Sequence, residues 1–212
     1  MEINYTCSLG SLCHTAVFLK RNNLRNCAYP FDWSFSNPEI IYKCLEDDFS
    51  QFLDKSYYIP NPNNPTGCLH SVFGPHLFHH RNPYGNEDDY NYLSRCVERF
   101  RSLFKKPEHK LFIITIVNGE YNSLSDRDGF ISSINNLNNM LLNRTNNYTL
   151  LVIINHAEHS HNDHTFTYND NIHILDLYTL SKSQGTEFWS DNDNNYLDNI
   201  INSNYHFTIS KL

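Results

Sequence analysis

The sequence predicts an α/β chain: a single domain with a mostly parallel sheet flanked by helices. Two continuous apolar runs, residues 111–117 and 150–154, have strand length and polar flanks, as strands covered on both faces do. Helix-period stretches separate such runs along the chain, the alternation that builds parallel sheets. The 212 residues, 40% of them hydrophobic, suffice to bury a core without disulfides or a structural metal.

The elements follow in order. Residues 3–8 are expected to form a first short strand. Ser11 is placed to cap a helix to about residue 22, with Leu12, Ala16 and Leu19 on one face. A Pro-rich turn covers residues 29–33. Asn37, Pro38 and Glu39 supply a capping side chain, a first-turn proline and an early acid, and that helix is predicted to end near Leu53. Residues 60–67, with three Pro, three Asn and one Gly, read as loop. Residues 69–79 read as extended, interrupted at Gly74 and Pro75. Leu93, Cys96, Val97, Phe100 and Phe104 mark a helix over 88–104, closed by Lys105, Lys106 and Pro107. Strand 111–117 follows, then a helix marked by Phe130, Ile134, Leu137 and Leu141. Strands at 150–154 and 172–177, a helix near 194–201 and an extended tail over 205–210 complete the chain.

Composition excludes several function classes. A formal charge of -7 disfavours a nucleic-acid or anionic-membrane partner, which needs concentrated Lys and Arg. The longest apolar run is far short of the roughly 20 residues that span a bilayer. No secretory signal is read at the N-terminus, so six reduced cysteines and a cytoplasmic setting are expected. The absence of a CxxC pair argues against a zinc ribbon or thioredoxin-like site. No phosphate-binding glycine loop is present, and neither cofactor nor metal is expected. The 30 Asn against 3 Ala reflect AT-rich codons, as in an AT-rich microbe or large DNA virus, more than the fold.

In parallel sheets, functional residues lie beyond the carboxyl ends of strands, which points to Cys13, Asn118 and His156. Cys13 ends the small-residue turn Ser8-Leu9-Gly10-Ser11-Leu12-Cys13 and falls in the first turn of a helix. There, free amide N–H groups and the dipole favour a thiolate, the form that acts as nucleophile. A free cysteine also packs well as a small hydrophobe; Cys44 and Cys96, on apolar helix stripes, are read that way. Asn118, Gly119 and Glu120 follow a buried strand, at the same end as Cys13. His156 sits at a strand end and is a candidate base.

Residues 8–13, followed by Ala16, Leu19, Lys20, Arg25 and then Tyr29-Pro30-Phe31-Asp32-Trp33, resemble the opening of a family labelled papain-like cysteine peptidases, found in bacteria and large DNA viruses. Phe78 and His79 resemble its aromatic-to-histidine motif, and Arg95, Arg99 and Phe100 its Arg-rich helix. The resemblance covers about the first 120 residues. It implies Cys13 as nucleophile, a histidine as base and an acid or amide as orienter, with a peptide or protein substrate. His79 matches the motif, with His80 where an acid is expected; Asp32 is the remaining acid in a well-matched block, and His156 is the second choice of base. The resemblance also implies a helical part set against an antiparallel, barrel-like sheet, whereas the residue pattern implies alternating α/β.

Two other functions stay open. Residues 159–164 read H-x-H-x-D-H, similar to the metal motif of the metallo-β-lactamase superfamily, so His156, His159, His161, Asp163 and His164 suggest a metal-dependent hydrolase. The glycines expected after that motif are missing and only 48 residues follow it, so a polar loop is the expected state. A non-catalytic binding domain is the third.

Overall fold

The computed structural model describes residues 1–119 and 126–212. Glu120 therefore lies outside the described residues. Two short strands, β1 (Glu2–Ile3) and β2 (Tyr5–Ser8), open the chain, followed by α1 (His14–Arg21), α2 (Pro38–Glu46) and the single turn α3 (Ser50–Leu53). Strands β3 (Tyr58–Pro60), β4 (Cys68–His70) and β5 (Gly74–Phe78) form a small antiparallel sheet. Then come α4 (Glu87–Phe104), β6 (Lys110–Ile116), α5 (Arg127–Leu142), β7 (Tyr148–His156), β8 (Asp163–Asn169), β9 (Ile172–Tyr178), α6 (Asp191–Asn204) and β10 (His206–Phe207).

The larger sheet has five strands in the order β2-β6-β7-β9-β8. The first four run parallel, and β8 is antiparallel at the edge. The adjacency predicted from the two apolar runs is observed: β6 and β7 pair in parallel from Lys110 opposite Tyr148 to Ile116 opposite Ile154. Alternation explains why both runs are continuous. Phe112, Ile114 and Ile116, with Leu150, Val152 and Ile154, face one core cluster together with α2, α4 and α5. Leu111, Ile113, Leu151 and Ile153 face a second cluster with Phe18 and Leu19 of α1 and Leu197, Ile200 and Ile201 of α6. Period-two side chains of a strand covered on both faces are all apolar.

Local chemistry sets the helix starts. Asn37 Oδ1 accepts from Ile40 N at 2.8 Å with Pro38 in the first turn, as read from the sequence. Asn86 and Asp126 cap α4 and α5 in the same way, accepting from Asp88 N and Gly129 N.

Three expected boundaries differ. The helix predicted to reach Leu53 stops at Glu46, because Asp48 and Phe49 take left-handed φ of 52° and 62°. The chain turns there to bury Phe49 among Phe31, Phe52 and Phe100; burying that aromatic ring outweighs the strain of a left-handed backbone. The first strand splits: Glu2 and Ile3 pair with β10, while residues 5–8 pair with β6. The polar loop expected over residues 159–164 holds as far as Asn162, after which Asp163 and His164 open β8, a strand the sequence pattern did not mark. Its side chains are exposed except for half-buried Phe166, so no hydrophobic alternation marked it. Among the described residues, no helix is long and apolar enough to cross a membrane.

Candidate functional site

All four parallel strands end on one edge of the sheet, which gathers the segments after β2, β6, β7 and β9. After β2 the chain makes a turn that only glycine permits. Gly10 has φ +95°, and a Cβ there would fall 2.0 Å from Ser36 Oγ. The turn is pinned on both sides. Ser36 Oγ donates to Leu9 O at 2.7 Å, Ser11 Oγ donates to Thr115 O at 2.6 Å, and Thr15 Oγ1 donates to Gly10 O at 2.9 Å. Ser11 thus ties the turn to β6 rather than capping α1, and Cys13 itself occupies the N-cap position.

Cys13 is buried at the wall of a cleft of about 320 Å³, lined also by Trp33, His80, Arg81 and Thr186. Its thiol is pushed up from the ordinary value by burial and then by the negative charge of Asp32; its own backbone N–H opposes this weakly. The thiolate expected from the helix N-terminus is therefore not the resting form.

The histidine that lines the same cleft as Cys13 is His80, the neighbour of the His79 favoured by the sequence reading. His79 packs its ring against Phe35 at 5.3 Å and against His80 at 4.9 Å. His80 is pulled below the ordinary imidazole value by burial and by the adjacent His79, so it is neutral near pH 7 and able to accept a proton.

Asp32 is bonded elsewhere through one oxygen. Its Oδ2 accepts from Arg25 Nε at 3.0 Å, Arg25 Nη2 at 2.7 Å and Tyr29 N at 3.1 Å. Burial raises its carboxyl to about 6 against the pull of Arg25. Among the described residues, no imidazole bonds to it. Arg25 also lies over Trp33, 5.9 Å from the ring centroid. Asp32 therefore positions the Pro-Phe-Asp-Trp turn and, through it, the Trp33 wall of the cleft.

His156 ends β7, and its Nε2 lies 2.8 Å from Asp176 Oδ1. Arg127 grips the same carboxylate through Nη1 at 2.5 Å and Nη2 at 2.7 Å, and the imidazole stacks on Tyr178. Burial works against the Asp176 charge, but the bonds from Arg127 and His156 win and hold it below the usual carboxylate range. The rest of the histidine cluster disperses. His159 rests edge-on against Tyr178, His161 meets Ser160, and His164 meets the Tyr196 hydroxyl. Among the described residues, no three His, Cys, Asp or Glu side chains are placed to hold one metal ion.

Asn118 joins the strand ends. Its N–H donates to Asn155 Oδ1 at 3.0 Å, and its side chain exchanges bonds with the Ser183 backbone at 3.1 and 2.8 Å. Ser183 Oγ in turn lies 2.9 Å from Nδ1 of buried His14, whose other nitrogen has no partner among the described residues. Burial drives His14 down to about 3. A larger cleft, about 780 Å³, lies between α2 and α5 and is lined by neither cysteine nor histidine, so size alone does not mark the site.

A family model described as "Putative papain-like cysteine peptidase" matches residues 4–159. The chain belongs to that family. The match with this papain-like peptidase family includes Cys13, Asp32, His79, His80, Arg81 and His156, but stops short of Asp176, Ser183 and Thr186. No curated protein and no solved structure matches the chain.

Three residues near the strand ends and the cleft were not among the candidates of the sequence reading: Asp176, His80 and Arg81. Asp176 had a signal, an acid inside the apolar strand Ile-His-Ile-Leu-Asp-Leu-Tyr. His80 and Arg81 had none, because the direction of a side chain after β5 is fixed by tertiary packing.

Proposed function

We propose that the chain is a thiol hydrolase, a peptidase or an enzyme cleaving a related isopeptide or ester bond, with Cys13 as nucleophile. The observation that carries this reading is the shared cleft of Cys13 and His80 in a member of a cysteine peptidase family. His80 is the favoured base, and His79, whose ring packs on it, holds it in place. In the reaction the imidazole takes the thiol proton as sulfur attacks the carbonyl carbon. The imidazolium returns that proton to the departing amine or alcohol, leaving a thioester. Water, deprotonated by the same imidazole, then displaces the thiol and releases the acid. Amide N–H groups around Leu12 and Cys13 are the candidate donors to the oxyanion.

A raised thiol sharing a cleft with a neutral imidazole supports proton transfer during attack rather than a standing ion pair. Cleavage of p-nitrophenyl acetate tests the reading without a known substrate. A burst of p-nitrophenol close to one equivalent, lost in Cys13→Ala, is expected. No burst in the folded chain contradicts it.

A further inference from the structure

We infer that Arg81 forms an anion subsite beside Cys13, so that the substrate carries a carboxylate close to the bond being cleaved. This rests on the thiol-hydrolase reading above. Arg81 lines the same cleft as Cys13, His80, Trp33 and Thr186. Its guanidinium is held in place. It stacks over Tyr92, 3.4 Å from the ring centroid, and Nη1 donates to Asp89 Oδ1 at 2.7 Å. The other Asp89 oxygen accepts from Asn82 N at 2.9 Å, which fixes the carboxylate in turn.

Asp89 takes one edge of the guanidinium only. Nε and Nη2 have no acceptor among the described residues, and the side chain is 31% exposed. An arginine oriented in this way presents a fork that matches a carboxylate. The cleft lining holds no carboxylate of its own, while Asp32 bears on Cys13 from behind the wall and Asp89 answers one edge of the guanidinium. Trp33 supplies a flat apolar wall for the stem that carries the acid. About 320 Å³ is the lower end of ligand-pocket size, room for one or two residues. Two sources share this chemistry: an acidic side chain beside the scissile bond, or the terminal carboxylate of a peptide.

Alkylation of Cys13 by iodoacetate and iodoacetamide, read site by site by mass spectrometry, tests the subsite. The two reagents differ in charge, and at pH 9 His80, already pulled below the ordinary imidazole value, is neutral, leaving arginine as the cation of the cleft that discriminates. At low salt, the ratio of iodoacetate to iodoacetamide rates at Cys13 is expected to exceed that of glutathione roughly fivefold. It falls to the glutathione value in Arg81→Gln, is partly kept in Arg81→Lys, and collapses in about 1 M salt in the unmodified chain. N-acetylglutamate amide and N-acetyl-diglycine protect Cys13 better than N-acetylglutamine amide, and the stronger protector of the two identifies the source of the carboxylate. Labelling by iodoacetamide with equal ratios in the native chain and Arg81→Gln overturns the subsite while leaving the thiol reading intact. A Cys13 that reacts with neither reagent overturns both.

Discussion

Cys13 and His156 stand at the same edge of one parallel sheet, each just beyond or at the end of a strand, yet their surroundings differ in kind. Cys13 faces a cleft, and among the described residues its thiol has no imidazole within hydrogen-bond reach. His156 is bound to Asp176, which Arg127 holds from the other side, with Tyr178 against the ring. A carboxylate with three charge-assisted bonds and a histidine locked on it form a structural clamp. A thiol and a neutral imidazole that line one cleft without being bonded to each other leave both groups uncommitted. Position at a strand end selects candidates; the partners already made decide between them.

The sharpest way to break this contrast is to delete each group in turn. Cys13→Ala should abolish the burst with p-nitrophenyl acetate, whereas His156→Ala should leave its rate within about twofold. Comparable losses in both would erase the distinction. Asp32→Ala should act on stability, because it strands Arg25 beside a buried turn; a cost of about 3 kcal/mol in urea unfolding is expected. A cost below about 1 kcal/mol would show that the pair does not hold the turn. His80→Ala should slow acylation about 100-fold with little change in stability, and His79→Ala only a few-fold. The reverse order would move the base to His79.

A further effect, read in pH rather than in rate, concerns His14, buried with one nitrogen unpartnered among the described residues. Its folded value of about 3 lies below its ordinary 6.5, so the unfolded chain binds the extra proton between them. Its contribution is fully present above about pH 6.5 and is lost as pH falls toward 3. Asp32 works oppositely. Its carboxyl, raised to about 6, favours the folded state on the acid side and loses that contribution as pH rises from about 4 through 6. His14→Met should therefore flatten the acid limb of the stability curve, measured by unfolding between pH 4 and 7. An unchanged limb would contradict the burial of a neutral imidazole.

Much of the fold was legible where burial is two-sided or capping is local. β6 and β7 announced themselves as continuous apolar runs, and α2 began at the Asn37 and Pro38 signal. The end of α2 was not legible, because the left-handed Phe49 is stabilised by Phe31, Phe52 and Phe100 from other parts of the chain. β8 was hidden because an exposed edge strand needs no alternation. In the site, the Gly10 turn and Cys13 were readable from small residues before a helix, and the family block around Asp32 from its sequence. Reading Asp32 as an orienting acid missed Arg25, which lies only seven residues away and takes up its charge. Choosing His79 over His80 is a matter of which way two adjacent rings turn after β5, and no local pattern encodes that.

The account stands on Cys13 as the atom that takes up the acyl group. Peptide mapping of the chain quenched in acid milliseconds after mixing with p-nitrophenyl acetate tests this most directly. The predicted result is a single acetyl on Cys13 that disappears on further incubation in water and accumulates in His80→Ala if deacylation is slowed more than acylation. Acetyl groups confined to lysines, the amino terminus or other cysteines, with Cys13 unmodified at every time point, would contradict it.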